Sequence, residues 1–158
     1  MIRPITPDDS VALINLANSI GFFSPDELKE LRQMLTDSLS KKDDTHSFWI
    51  TDDDDGLVGL AYCEPERMTS GTWNLQLIVV HPTHQKQGRG GKLLRFVEET
   101  LAGRGARILL VETVGTSDFE YVRAFYRKSG YDEEARIREF YAEGSDKIVF
   151  RKALSAQG

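Results

Sequence analysis

Apolar and polar positions recur along this chain with two distinct periods, and each change of period marks an element. Ile2 to Ile5 reads as a short strand. Thr6 then stands as an N-cap, with Pro7 at the first helical position and Asp8 and Asp9 in the first turn, where carboxylates meet the positive end of the helix dipole. Val11, Ile14, Ala17 and Asn18 follow at helical spacing, and Gly21 ends the segment. Ser24-Pro25-Asp26-Glu27 is a capping box, after which Leu28, Leu31, Leu35 and Leu39 share one helical face. From His46 the period shortens to two: His46 to Thr51 reads as a strand, Asp52 to Gly56 as a solvated turn, and Leu57 to Glu64 as a second strand. Pro65 to Gly71 is a loop, and Thr72 to Val80 a third strand ending at His81-Pro82.

Lys92 to Ala102 returns to helical spacing, with Leu93, Phe96, Val97 and Leu101 facing inward and Gly103 and Gly105 closing it. Ala106 to Val114 is a nearly unbroken apolar run, which predicts a strand buried on both faces. Ser117 and Glu120 form another capping box, so a helix is expected from Asp118 to Ser129, stopped by Gly130. Tyr131 to Phe140 and Lys147 to Lys152 read as closing strands around a turn at Glu143-Gly144-Ser145. The order βαα-βββ-α-β-α-ββ predicts a mixed α/β (α+β) fold in a single domain, residues 1–158.

The composition narrows the function. With 158 residues and a hydrophobic share of 40%, one packed core is expected without disulfides or a structural metal. Lys and Arg number 20 against 25 Asp and Glu, a net charge of −5, which argues against nucleic-acid or anionic-membrane partners. The lone Cys63 reads as a small buried hydrophobe. The N-terminus lacks the apolar stretch of a secretory signal, and no window approaches about 18 consecutive apolar residues, so a cytoplasmic protein is expected.

The chemistry concentrates between Leu75 and Lys92. An apolar strand, Leu77-Ile78-Val79-Val80, runs through His81-Pro82 into Gln85-Lys86-Gln87-Gly88-Arg89-Gly90-Gly91 and then into a helix. Free N–H groups at such a helix start form an anion cradle, and Lys86, Arg89 and Lys92 add local positive charge, so a phosphate or pyrophosphate is implied. It is not a Walker loop, because Gly91-Lys92 is followed by Leu93 rather than a hydroxyl residue. Nor is it a dinucleotide fingerprint, because the third glycine site after Gly88-x-Gly90 is also Leu93.

Gln85-x-x-Gly88-x-Gly90, after a strand ending Val80-His81-Pro82, resembles the acetyl-coenzyme A (acetyl-CoA) signature of the GNAT superfamily of N-acetyltransferases. Ala124-Phe125-Tyr126-Arg127-Lys128-Ser129-Gly130-Tyr131, roughly 40 residues on, is similar to that family's Phe-Tyr-x-x-x-Gly-Phe element. The resemblance extends over about residues 2 to 153. It implies a mostly antiparallel mixed sheet with helices on both faces, in which strands 72–80 and 106–114 splay to admit the cofactor. It also implies that the main chain of Gln85, Lys86, Gln87, Gly88, Arg89, Gly90, Gly91 and Lys92 holds the coenzyme A pyrophosphate. Ile78, Val79 and Val80 would bond the pantetheine arm, with Tyr126 near the thioester sulfur. Where many members carry an asparagine seven residues before that tyrosine, this chain has Phe119.

Amide formation needs an unprotonated amine, and a lysine-like amine is only about one part in 10³ neutral at pH 7. A base must take the proton, a donor must meet the oxyanion, and the leaving thiolate gains from an acid. The strand N–H of Ile78 or Val79 is the expected oxyanion donor and Tyr126 the expected acid. Glu112 is the expected base, since it interrupts an apolar strand at its C-terminal end. Glu64 is a weaker alternative, and Asn74 or Gln76 would order a water. For the acceptor, Phe22 and Phe23 between the first two helices and Tyr141 near the last turn are expected wall residues. Arg123 and Arg127 face either cofactor phosphates or water. His81 and His84 read as loop histidines, and no metal is expected. The expected reaction moves an acetyl group from acetyl-CoA to a small-molecule or protein primary amine, with a homodimer possible by analogy. The competing expectation is a non-catalytic acyl-CoA-binding module.

Overall fold

The computed structural model describes residues 1–21, 23–40 and 47–154. The strands are β1 (Ile2–Pro4), β2 (Phe48–Asp53), β3 (Leu57–Pro65), β4 (Thr72–Val80), β5 (Ile108–Val114), β6 (Asp132–Ala142) and β7 (Ser145–Ala153). The helices are α1 (Ser10–Ile20), α2 (Pro25–Leu39), α3 (Arg89–Gly103) and α4 (Glu120–Lys128). Their succession is the one expected, and the strand order is β1-β2-β3-β4-β5-β7-β6. The described pairings are antiparallel except β4 with β5, which is parallel. Phe22 and His46 lie outside the described residues.

The chain divides into two compact units, Met1–Pro65 with Leu77–Val97, and Glu66–Gln76 with Glu98–Gly158. In the first, Leu13, Leu16 and Ala17 of α1 and Leu31 and Leu35 of α2 pack with Trp49, Leu60 and Tyr62 of β2 and β3. Each such leucine contributes about 2 kcal/mol by leaving water. Trp49 and Tyr62, register partners, stack with centroids 4.3 Å apart. The helix ends follow local chemistry. The Ser24 hydroxyl accepts from Glu27 N–H at 3.1 Å while Glu27 accepts from Ser24 N–H at 3.0 Å. Gly21 closes α1 in the left-handed region at φ +81°. Pro7–Asp9 forms a separate 3₁₀ turn before α1.

In the second unit, β4 pairs with β5 from Thr72–Ile108 to Leu75–Val111, and β5 pairs with β7 along its whole length. Four expectations are corrected here and in α3. β5 is buried on alternate residues, Leu109, Val111 and Thr113, while Leu110 and Glu112 are half-buried. Ser117 does not cap α4: Ser117–Phe119 forms a 3₁₀ turn with Thr116 at its N-cap position, and Phe119 is the N-cap of α4. α3 starts at Arg89, so two glycines lie inside its first turn, and Leu94 rather than Phe96 joins its buried face.

Candidate active site

In the first unit, β4 runs into a 3₁₀ turn at Pro82–His84, and the His81 N–H donates to the Val58 carbonyl at 2.7 Å. Gln85 Nε2 donates to the Val80 carbonyl at 3.0 Å, tying the loop to the strand end. Lys86 and Gly88 both take positive φ, +63° and +79°. A side-chain carbon at Gly88 would meet nothing within 4 Å, so approach to its main chain is open. The Lys92 N–H donates to the Gly88 carbonyl at 3.1 Å, which leaves the preceding N–H groups outside the helical ladder.

The Arg89 guanidinium is occupied by side-chain partners, with Nε donating to Gln87 at 3.3 Å. Its Nη1 donates to Asp52 at 2.9 Å and its Nη2 to Asp54 at 2.5 Å, and Asp52 is only 4% exposed. The Asp52–Asp55 run is therefore not a merely solvated turn: two of its carboxylates anchor the start of α3. The guanidinium charge is answered within the protein, so Arg89 is left with a main-chain part in any anion site. The Nδ1 atoms of His81 and His84 both lie 2.8 Å from the Thr83 hydroxyl.

In the second unit the β4–β5–β7 register builds a polar cluster. Glu112 pairs with Val149 and Val114 with Lys147, so Glu112 and Lys147 are diagonal neighbours on one face, where they form an ion pair. Asn74, the register partner of Leu110, shares that face. Its Nδ2 donates to Glu66 Oε1 at 2.9 Å and to Glu112 Oε2 at 3.4 Å. Its Oδ1 is buried without a hydrogen-bond partner among the described residues. Lys147 Nζ stands 4.2 Å from the Phe140 ring centroid. Partial burial, and then the charge of Glu112, raise the Tyr141 phenol above its ordinary value. Glu64 is elsewhere, accepting from the Tyr62 hydroxyl at 2.6 Å.

Tyr126 lies on the other face of β7. Its ring is 2% exposed and sits 5.7 Å from Phe150 and 5.6 Å from Tyr131. Phe150 pairs with Val111, whose side chain points opposite to Glu112. Arg123 is a structural residue. It is buried, and Nη1 donates to the Val114 and Thr116 carbonyls at 2.7 and 2.9 Å. Arg123 and Arg127 share Glu120, which lowers the Glu120 carboxyl and raises Arg127.

The acetyltransferase (GNAT) domain model matches residues 44–133. This chain belongs to the GNAT acetyltransferase family. A crystal structure described as a GNAT-family acetyltransferase, from Desulfovibrio desulfuricans, superposes at TM-score 0.92 with 30% identity, covering 98% of this chain and 99% of that one. A mycothiol acetyltransferase from Thermobispora bispora is 33% identical over 104 residues, 65% of this chain but only 32% of that protein. The chain thus spans about a third of the length of that curated relative. An aminoglycoside 6'-N-acetyltransferase solved with coenzyme A shares the fold at TM-score 0.78 and 18% identity, covering 100% and 99% of the two chains.

Acetyl-CoA is the acyl donor of GNAT acetyltransferases. The loop after β4 fits its diphosphate, with open main chain at Gly88 and N–H groups outside the helical ladder. Of the expected acceptor residues, Phe23 packs against the core of the first unit, and Tyr141 lies within reach of the Glu112 charge. Glu66 and Lys147 were not foreseen. The signal for Lys147 is a cross-strand diagonal to Glu112; that for Glu66 is the hairpin bond from its N–H to the Thr72 carbonyl at 2.8 Å, two residues before Asn74. Among the described residues, no helix is long and apolar enough to cross a membrane.

Proposed function

We propose that this GNAT acetyltransferase carries an acetyl group from acetyl-CoA directly to a primary amine on a small molecule, an amino acid or a protein, in the cytoplasm, with residues 1–158 acting as one N-acetyltransferase domain. The observation that carries the reading is the position of Glu112, one residue beyond the last β4–β5 register pair, Leu75–Val111. Acetyl-CoA, when bound, supplies the acyl group already activated as a thioester. The main chain of residues 85–91 binds the diphosphate, and the strand amides of Ile78 to Val80 orient the arm that follows. Gln85 steadies that loop through its bond to Val80. Glu112 takes the proton of the attacking amine and Tyr126 returns one to the departing sulfur.

Base and acid sit on opposite faces of the β5–β7 ladder, so both meet one reacting centre only where a ladder has ended. The end of the register pairs just before Glu112 supports this division of labour. Mixing the protein with acetyl-CoA and a panel of primary amines, and following free thiol, tests it. Amine-dependent release is expected. Tyr126→Phe should lower kcat about tenfold or more with coenzyme A affinity unchanged. Full kcat in that variant reassigns Tyr126 to the aromatic core, and coenzyme A binding without release across the panel makes the protein a binding module.

A further inference from the structure

The polar cluster of the second unit lacks one positive charge and one hydrogen-bond donor. Its charged members are Glu66, Glu112 and Lys147, two negative and one positive. Its neutral member, Asn74, is 3% exposed and spends Nδ2 on both carboxylates while Oδ1 is left unpaired. Turning the amide over would not help, because it would set Oδ1 against two carboxylates and forfeit both bonds. The arrangement holds a buried acceptor with no partner among the described residues, and a cation that donates N–H would meet both that acceptor and the excess negative charge.

We infer that Glu66, Asn74 and Glu112 form the acceptor subsite, and that it selects a primary ammonium group with no neighbouring carboxylate. This rests on the acetyltransferase reading above. One ammonium N–H goes to Asn74 Oδ1 and another to a carboxylate, and the positive charge completes the balance of the cluster. A free amino acid brings its own carboxylate to two glutamates and is repelled, whereas a peptide N-terminus or an amino alcohol is not. Phe140 and Tyr141 form the rim, where an aromatic face already accepts the Lys147 ammonium. Side-chain exposure at the rim is 29% for Glu112 and 14% for Lys147. Asn74 Oδ1 is sealed in the ligand-free chain, so occupancy includes a side-chain shift at this rim.

The test uses the full chain without acetyl-CoA and follows the Asn74 side-chain amide by ¹⁵N NMR. Probes are glycinamide (peptide-like), 2-aminoethanol, glycine and neutral acetamide. The first two should shift the Asn74 signal saturably, glycine should bind about tenfold more weakly or worse, and acetamide should have no effect. Which of the two amines binds more tightly separates a peptide from a small-molecule source. Asn74→Ala and Glu66→Gln should each weaken amine binding about tenfold, the latter also flattening its salt dependence. Glu66→Gln keeps the volume and covers the case in which Asn74→Ala fails to fold. Equal binding of glycine and glycinamide, or unchanged affinity in Glu66→Gln, overturns the subsite. If amines are acetylated but their KM is indifferent to both substitutions, the subsite fails and the acetyltransferase stands. If they bind as expected and no thiol is released, the acetyltransferase reading fails instead.

Discussion

The charge networks of the first unit and one polar cluster of the second use charge in opposite ways. In the first, carboxylates and guanidinium groups close on one another: Arg3 bridges Asp9 and Asp53, and Arg89 bridges Asp52 and Asp54. Each pairing fixes main chain, at the start of α1 or of α3. In the second, the Glu66–Asn74–Glu112–Lys147 cluster stops short of completion, with one acceptor unpaired and one negative charge in excess. A closed network holds the fold, whereas an open one stores free energy that a ligand can release. The same residue types thus close a network in one place and, on the reading proposed above, are left open for chemistry in the other.

The largest expected effect breaks that contrast at its open end. Glu112→Gln keeps the side-chain volume and the bond from Asn74 but removes the proton acceptor. The expected loss in kcat is about a hundred- to a thousandfold, with the unfolding free energy changed by no more than about 1 kcal/mol. Steady-state kinetics beside a urea titration measures both. A variant that loses stability and keeps kcat would make the Glu112–Lys147 pair one more structural clasp, and the difference between the units would vanish.

How far these roles were legible in the sequence depends on how local their causes are. The capping box at Ser24–Glu27 and the bounds of β4 follow from neighbours a few residues away, and both were read correctly. The glycine-rich loop between β4 and α3 was placed for the same reason, and it stands there. The Asp52–Asp55 run misled, because its partner Arg89 lies 35 or more residues away and no local pattern reports such a pairing. Ser117 did not become the cap of α4 because Ser117–Phe119 forms a 3₁₀ turn and Phe119 takes the N-cap position, a choice the box alone leaves undecided. Lys147 became visible only once the β5–β7 register placed it diagonal to Glu112. Two-residue periodicity gives a face, but only a register gives a neighbour.

A second, smaller effect probes the main-chain site proposed for the first unit. Gly88 sits at φ +79°, where a β-branched residue pays about 1–2 kcal/mol although the space beyond its α-carbon is open. Gly88→Val should therefore distort the loop without any steric clash. The expected result is an acetyl-CoA KM raised about tenfold with kcat nearly unchanged, the mark of lost uniform binding. Gly88→Ala should fall between, since it lacks the branch. A drop in kcat at constant KM would mean that the loop acts on the chemistry rather than on cofactor binding.

The smallest effect tests a closed network by titration. The Arg3 guanidinium donates to both Asp9 oxygens, at 2.8 and 3.0 Å, and holds this carboxyl at about 2, against an ordinary value of 3.8. A depressed folded-state value means that the unfolded chain binds the proton more readily, so the pair contributes stability above about pH 4 and loses it as pH falls toward 2. Asp9 also accepts from the Thr6 N–H at 2.7 Å, a bond that an asparagine can keep. After allowance for solvent screening around the partly exposed Arg3, Asp9→Asn should cost about 1–2 kcal/mol at pH 7. That cost should shrink steeply toward pH 2, where the folded parent carboxyl is about half protonated and the unfolded one almost wholly so. Urea unfolding of both proteins across pH 2 to 7 measures the difference directly, and kcat should not move. A cost that stays constant with pH would show that the substitution acts through packing or hydrogen bonding and that the charge of Asp9 gains nothing net from Arg3.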